Sequence, residues 1–129
     1  MVKRKRRKRK SRIKKGWYKG YWCDSSWELA YIMYNLDKGI SIIRNVEGFP
    51  YTFYKKDHLY YPDFIVEGEF VEIKGIMNRK NKAKLKAFPH KIKVIQKVGI
   101  EKYLKYAKKK YGEKFYSQYE KKKKKGIKV

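Results

Sequence analysis

The chain has 129 residues, 42% of them apolar and 17% aromatic, with a formal charge of +25 from 37 Lys and Arg against 12 Asp and Glu. That length suits one domain with a modest core, the aromatic content argues against a wholly disordered polycation, and the charge calls for a polyanionic partner rather than a small-molecule substrate. A single cysteine, Cys23, and two histidines, His58 and His90, exclude an internal disulfide and a Cys/His zinc site.

No apolar run approaches the ~18 residues of a membrane span, and the N-terminus has no apolar signal core, so an intracellular setting without membrane contact is expected.

Met1–Lys15 is a low-complexity basic arm carrying Lys3, Arg4, Lys5, Arg6, Arg7, Lys8, Arg9 and Lys10. It is expected to lack fixed structure without nucleic acid and to bind phosphates through counterion release. Lys121–Lys128 is a second basic run, yet Gly16–Tyr119 still holds 20 basic and 11 acidic residues. The expected layout is therefore an arm over 1–15, a domain over 16–112 and a Lys-rich tail over 113–129. Gly16–Trp22 (GWYKGYW) reads as an aromatic loop packed on the core. Stacking of its rings on bases is the rarer explanation.

Asp24–Lys38 reads as a helix, apolar nearly all round, with Ser25 as N-cap and Gly39 as its stop. Glu28 interrupts the apolar surface, and Ser25-x-x-Glu28 has the form of a capping box. Ile40–Val46 and Pro50–Lys55 read as strands joined by Glu47-Gly48-Phe49. Arg44 and Lys56 border the expected cleft, as grips on a nucleic-acid backbone or as a solvated strand edge.

Tyr60–Gly75 (YYPDFIVEGEFVEIKG) reads as a β-hairpin turning at Glu67-Gly68. Facing residue numbers then sum to 135, which sets Asp63 opposite Glu72 and Tyr61 opposite Lys74. Alternation gathers Asp63, Glu72 and Lys74 on one face and Phe64, Val66, Val71 and Ile73 on the other. Like charges facing across a strand pair are destabilising, and a cation between them removes the repulsion. Oxygen-only ligation by one or two carboxylates suits Mg²⁺, with Mn²⁺ as the expected substitute. A solvated polar face is the plainer alternative.

Asn78–Phe88 reads as a helix crowded with Arg79, Lys80, Lys82, Lys84 and Lys86 and no acidic residue, a surface suited to gripping phosphates. Lys91–Gln96 alternates like a strand, and helix-then-strand implies a crossover to a parallel position. Val98–Tyr111 is an amphipathic helix ended by Gly112.

Pro62-Asp63 followed by Glu72-Ile73-Lys74 resembles the signature of the PD-(D/E)XK nucleases, the restriction-endonuclease-like superfamily, and within it the small phage-type endonucleases. The likeness spans about Tyr21–Gln96. It implies an α/β (α+β) fold: a central mixed sheet of four to five strands flanked by helices, with an αβββαβ core. It implies a Mg²⁺-dependent endonuclease acting on DNA phosphodiester bonds, with Asp63, Glu72, Glu28 and the Ile73 carbonyl as metal ligands. Lys74 is then the residue that positions the attacking water. A homodimer is expected by the same analogy.

The main rival is a non-catalytic basic nucleic-acid-binding protein, ribosomal-protein-like or architectural, which has no need of Asp63 facing Glu72. An inactive member of the same superfamily is a third reading.

Overall fold

The structure is a computed structural model that describes residues 14–121; Lys3–Lys10 and the last eight residues of the chain lie outside the described residues. Its path is shaped by three tight turns whose central residues both have left-handed φ: Lys19-Gly20, Tyr54-Lys55 and Glu67-Gly68. Such turns match the right-handed twist of paired strands, so each closes a hairpin. The first joins β1 (Gly16–Tyr18) to β2 (Tyr21–Cys23). The second joins β4 (Phe49–Phe53) to β5 (Lys56–Tyr60), and the third joins β6 (Phe64–Val66) to β7 (Glu69–Ile73).

The remaining elements are α1 (Ser26–Asp37), β3 (Ile42–Arg44), α2 (Arg79–Ala87), β8 (Ile92–Ile95) and α3 (Lys97–Tyr111), followed by a 3-10 turn at Phe115–Gln118. The fold is α+β, built on a mixed four-stranded sheet of order β3-β6-β7-β8. In this sheet β3, β6 and β7 are antiparallel and β8 runs parallel to β7 through the α2 crossover. Reading only α1, the strands of this sheet and α2 along the chain gives the expected αβββαβ order.

Both faces of the sheet are covered. Ile42, Phe64, Val71, Ile73 and Ile95 pack against Leu29, Ile32, Met33, Ile100 and Tyr103 of α1 and α3. On the opposite face, Phe70 and Ile92 meet Phe49, Tyr51, Tyr60 and Phe88. These aromatic rings lock edge to face, as Phe49, Phe70 and Phe88 do with centroids 4.8–5.6 Å apart. The face that carries Glu72 and Lys74 is thus roofed by the β4–β5 hairpin and α2.

Three sequence expectations are corrected. Gly16–Trp22 is not a loop but most of the β1–β2 hairpin. Pro50–Lys55 does not extend the central sheet: β4 pairs with β5, a strand the sequence reading lacked, while β3 pairs with β6. The turn that makes this hairpin, Tyr54-Lys55, takes φ of 51° and 62° without a glycine or asparagine, so the usual sequence cue is missing. Nor does the ordered chain trail off after Gly112. Phe115 is buried, and the Tyr119 ring covers Gly16 so closely that a Cβ there would lie 2.6 Å from it.

One carboxylate ties the two long helices together. Asp37 ends α1, where a negative charge opposes the helix dipole. Tyr106 Oη donates to it at 2.6 Å, Tyr111 Oη at 2.8 Å and Lys110 Nζ at 3.2 Å, all from α3. Partial burial works against the charge, but these donors outweigh it and hold the Asp37 pKa below the ordinary carboxylate range. Asp37→Ala is expected to cost about 1–2 kcal/mol at neutral pH. Because the folded pKa is the lower one, this contribution is complete above the unfolded pKa of about 4 and is lost as pH falls through the folded value. Denaturant melts of wild type and Asp37→Ala at pH 7 and pH 3 check both points.

Candidate functional site

The Glu67-Gly68 turn fixes the β6–β7 register as Val66 with Glu69, Ile65 with Phe70 and Phe64 with Val71, every pair summing to 135. Regular pairing stops at Phe64, and the strands part. That leaves the Asp63 and Ile73 N–H groups without ladder partners, and buried N–H groups demand acceptors. The two carboxylates supply them. Asp63 N–H donates to Glu72 Oε1 at 3.1 Å, and Ile73 N–H donates to Asp63 Oδ2 at 2.8 Å. Asp63 and Glu72 therefore meet through side chain and main chain one step beyond the paired register, but Asp63 is turned into the gap between the strands and lines the crevice on the Arg44 side instead of sharing the face of Glu72 and Lys74.

Glu72 is only 4% exposed. Its second oxygen, Oε2, is 3.2 Å from Lys74 Nζ, so these two residues share the roofed face as alternation predicts. Tyr61 does not face Lys74; it lies beyond the paired register, against Gly48 and beside Asp63.

Arg44 comes in from the other side. On β3 it pairs with Phe64, and its guanidinium lies 4.5 Å from the centre of that ring. It donates to Glu28 Oε1 at 2.8 Å, to the Asp63 carbonyl at 3.3 Å and to the Trp22 carbonyl, and lies 3.9 Å from Asp63 Oδ1. Arg44 is thus committed to internal partners. Glu28 is buried as well, and its Oε1 also accepts the Asp24 N–H at 3.0 Å. The reach-back of a capping box goes here to Asp24 rather than Ser25, while the Ser25 hydroxyl accepts the Glu28 N–H at 3.3 Å. Glu28 is at once a helix-terminus ligand and the partner of Arg44.

The electrostatic result is a strained Asp63. Burial first, then the charges of Glu72 and Glu28, push its pKa up to about 8, against the pull of the Ile73 N–H and Arg44. The Tyr60 hydroxyl adds a second unmet demand: it is buried without a hydrogen-bond partner. It lies near enough to Glu72 for burial and that charge to raise its pKa, although the geometry falls short of a hydrogen bond.

Among the described residues no three His, Cys, Asp or Glu side chains group as metal ligands, and the Glu28 Oε1 is held by Arg44 and the Asp24 N–H. The donor set is instead two carboxylates, and it extends to the Ile73 carbonyl. A strand residue's N–H and C=O point to the same edge, so this carbonyl faces the same side as the N–H that Asp63 accepts. Hard oxygen donors, two adjacent carboxyl groups of which Asp63 is held back from ionising, and an orphaned hydroxyl fit a Mg²⁺-type ion whose shell is completed by water and phosphate.

The basic residues fall into three groups. Lys84 is half-buried on α2, lining a crevice with Tyr60, Glu72 and Lys74, and burial followed by the Lys74 charge lowers its pKa. Lys80 and Lys82 are exposed on the same helix, and Arg79 donates to Tyr54 Oη at 2.9 Å, tying α2 to the β4–β5 tip. Lys56 is exposed at that tip. Cys23 is fully buried, and burial and Glu28 push its thiol up to about 12, in keeping with a small apolar residue.

Sequence reasoning gave no role to Tyr60, which lies beside Glu72, or to Tyr61, which lies beside Asp63, and ranked base stacking by Trp22, also beside Asp63, as the rarer explanation. The sequence signals were the aromatics flanking Pro62-Asp63 and, for Trp22, the segment GWYKGYW. Comparison with protein-family models, with curated proteins and with solved structures finds no match to this chain.

In the absence of divalent ions, the melting temperature is expected to fall as pH rises from about 4 to about 8. Folded Asp63 keeps a proton through that window, whereas the unfolded chain releases it near 3.9. Asp63→Asn should flatten the profile. Thermal melts across that range check this, and a wild-type profile already matching Asp63→Asn would refute a raised Asp63 pKa.

Proposed function

We propose that this protein is a Mg²⁺-dependent endonuclease that hydrolyses DNA phosphodiester bonds. The single observation that carries the reading is the meeting of Asp63 and Glu72 where β6 and β7 part, with the Lys74 ammonium against Glu72, in a chain of charge +25. The resemblance of Pro62-Asp63 and Glu72-Ile73-Lys74 to the PD-(D/E)XK signature supports the same reading, and with it a phage-type enzyme and a homodimer for cutting two strands.

Asp63, Glu72 and the Ile73 carbonyl would hold the ion. When bound, such an ion neutralises phosphate charge and lowers the pKa of a coordinated water. The chain's own residues do the rest. Lys74, 3.2 Å from Glu72, would orient the attacking water and offset charge on the phosphate oxygens in the transition state. Lys84 adds a second cation beside it. Arg44 keeps Glu28 and the Asp63 main chain in place, so the carboxylate pair is preorganised. Lys80 and Lys82 extend the positive surface along α2 for the flanking DNA backbone.

A second reading has an observation in its favour. One oxygen of each carboxylate already accepts a main-chain N–H, which is what a purely structural pair in a DNA-binding protein would do. Mg²⁺ separates the two: an ion site raises the melting temperature in proportion to ln(1 + [Mg²⁺]/Kd), whereas a structural pair leaves it unmoved.

With Mg²⁺ or Mn²⁺, the protein is expected to cleave at least one of plasmid, single-stranded, nicked, forked and four-way DNA in a gel assay. Asp63→Ala and Glu72→Ala should abolish cleavage, and Lys74→Ala should slow it by roughly 10²–10³-fold. Failure on every substrate, or full activity in Asp63→Ala, would remove this reading. Separately, Lys80→Ala/Lys82→Ala should weaken binding to all DNA sequences alike and reduce the salt slope by about two, as measured by anisotropy titrations at several salt concentrations.

A further inference from the structure

The β1–β2 hairpin splits its aromatic residues between two environments. Tyr18 and Cys23 are buried, but Trp17 is 50% and Trp22 37% exposed. These two rings pair across the hairpin, edge to face, with centroids 5.4 Å apart. The Trp22 indole N–H donates to Asp24 Oδ1 at 2.9 Å, which fixes the ring. A core-packing role does not account for an exposed tryptophan held in one orientation.

Trp22 borders a cleft of about 290 Å³ that reaches Asp63. Tyr61 also lines this cleft, 52% exposed. Its ring presses on Gly48 so closely that a Cβ there would come within 2.8 Å, so Tyr61 too has a set position. Arg44 completes the link to the carboxylate pair, because it touches the Trp22 carbonyl and the Asp63 carbonyl at once.

We infer that this cleft receives one unpaired nucleotide, its base stacked on Trp22 or Tyr61, beside the phosphate presented to Asp63. Three considerations select this occupant. Stacking needs an exposed base face, and bases inside a duplex offer only their edges. The volume is close to the lower end of the ~300–1,000 Å³ common for small-ligand sites, which admits one nucleotide and not a duplex. The cleft itself sets Arg44 against Asp24 and Asp63, so it is the charge of the whole chain, +25, that selects a nucleic-acid strand over an apolar peptide. The preferred DNA is then single-stranded, flapped or forked at the site of binding rather than uniform duplex. This inference rests on the nuclease reading for the identity of the ligand, but its test does not depend on catalysis.

The test is equilibrium binding in EDTA, followed by tryptophan fluorescence quenching and by anisotropy, with labelled single-stranded, forked and blunt-ended duplex DNA of one length. Wild type should favour the single-stranded and forked molecules over the duplex, with quenching only on the former. Trp22→Leu should lower that preference roughly five- to a hundredfold, the range for losing one base stack. Trp22→Phe, which keeps a ring, should retain most of it, and circular dichroism should show all variants folded. Equal affinity of wild type for single strand and duplex would overturn the inference. So would a Trp22→Leu/Tyr61→Leu variant that is folded and keeps the wild-type preference. A wild-type dimer in sedimentation that the same double variant makes monomeric would assign the rings to a protein interface and overturn it as well. Cleavage lost in Asp63→Ala bears on the nuclease reading alone, because preference is read here without metal or turnover.

Discussion

The site depends on one constraint: the point at which two neighbouring strands stop pairing. The Glu67-Gly68 turn sets the β6–β7 register, and that register ends at Phe64 with Val71. Beyond it, two main-chain N–H groups have no carbonyl to meet. Asp63 and Glu72 meet them with side-chain oxygens, each reaching across to the other's strand. The bonds that complete the backbone's hydrogen bonding also bring two carboxylates together, so a local need of the sheet produces the charge concentration that the proposed chemistry uses.

Such a concentration would be untenable unless the surroundings were built for it. Glu72 and Glu28 are buried, and Asp63 stands between their charges. Arg44 offsets part of this from one side of the sheet and Lys74 from the other. The compensation is incomplete, as the raised Asp63 pKa and the partnerless Tyr60 hydroxyl show. Neutral acceptors such as Asn and Gln would satisfy the same two N–H groups without setting two acids side by side. The residual imbalance is what a bound cation would relieve, and it is why the proposed function places an ion there.

The roof over the site also links fold to proposed recognition. The β4–β5 hairpin and α2 close over the end of the sheet through Phe49, Tyr60, Phe70 and Phe88. They exclude water from Glu72 while leaving the Lys80 and Lys82 side of α2 in solvent. On the other side the β1–β2 hairpin holds Trp22 at the mouth of the cleft that leads to Asp63. A shielded carboxylate pair is therefore flanked by a cationic helix and by exposed rings, which respectively suit the backbone and the bases of one nucleic-acid strand.

How much of this was legible in the residues depends on the range of the forces involved. The α1, α2 and α3 spans and the Glu67-Gly68 hairpin follow from periodicity, caps and one turn, all acting within a few residues, whereas the way Asp63 and Glu72 meet depends on where the strands part. Those elements needed no tertiary information. The pairing of β3 with β6 rather than β4, the unmarked Tyr54-Lys55 turn and the packing of Phe115 and Tyr119 against the core came only from the fold, because distant segments compete for the same sheet edge and the same apolar surface. Arg44 shows the limit most plainly. A strand-edge arginine reads as a free cation, and only the approach of α1 and of the Asp63 bend turns it into the bridge between Glu28 and the carboxylate pair.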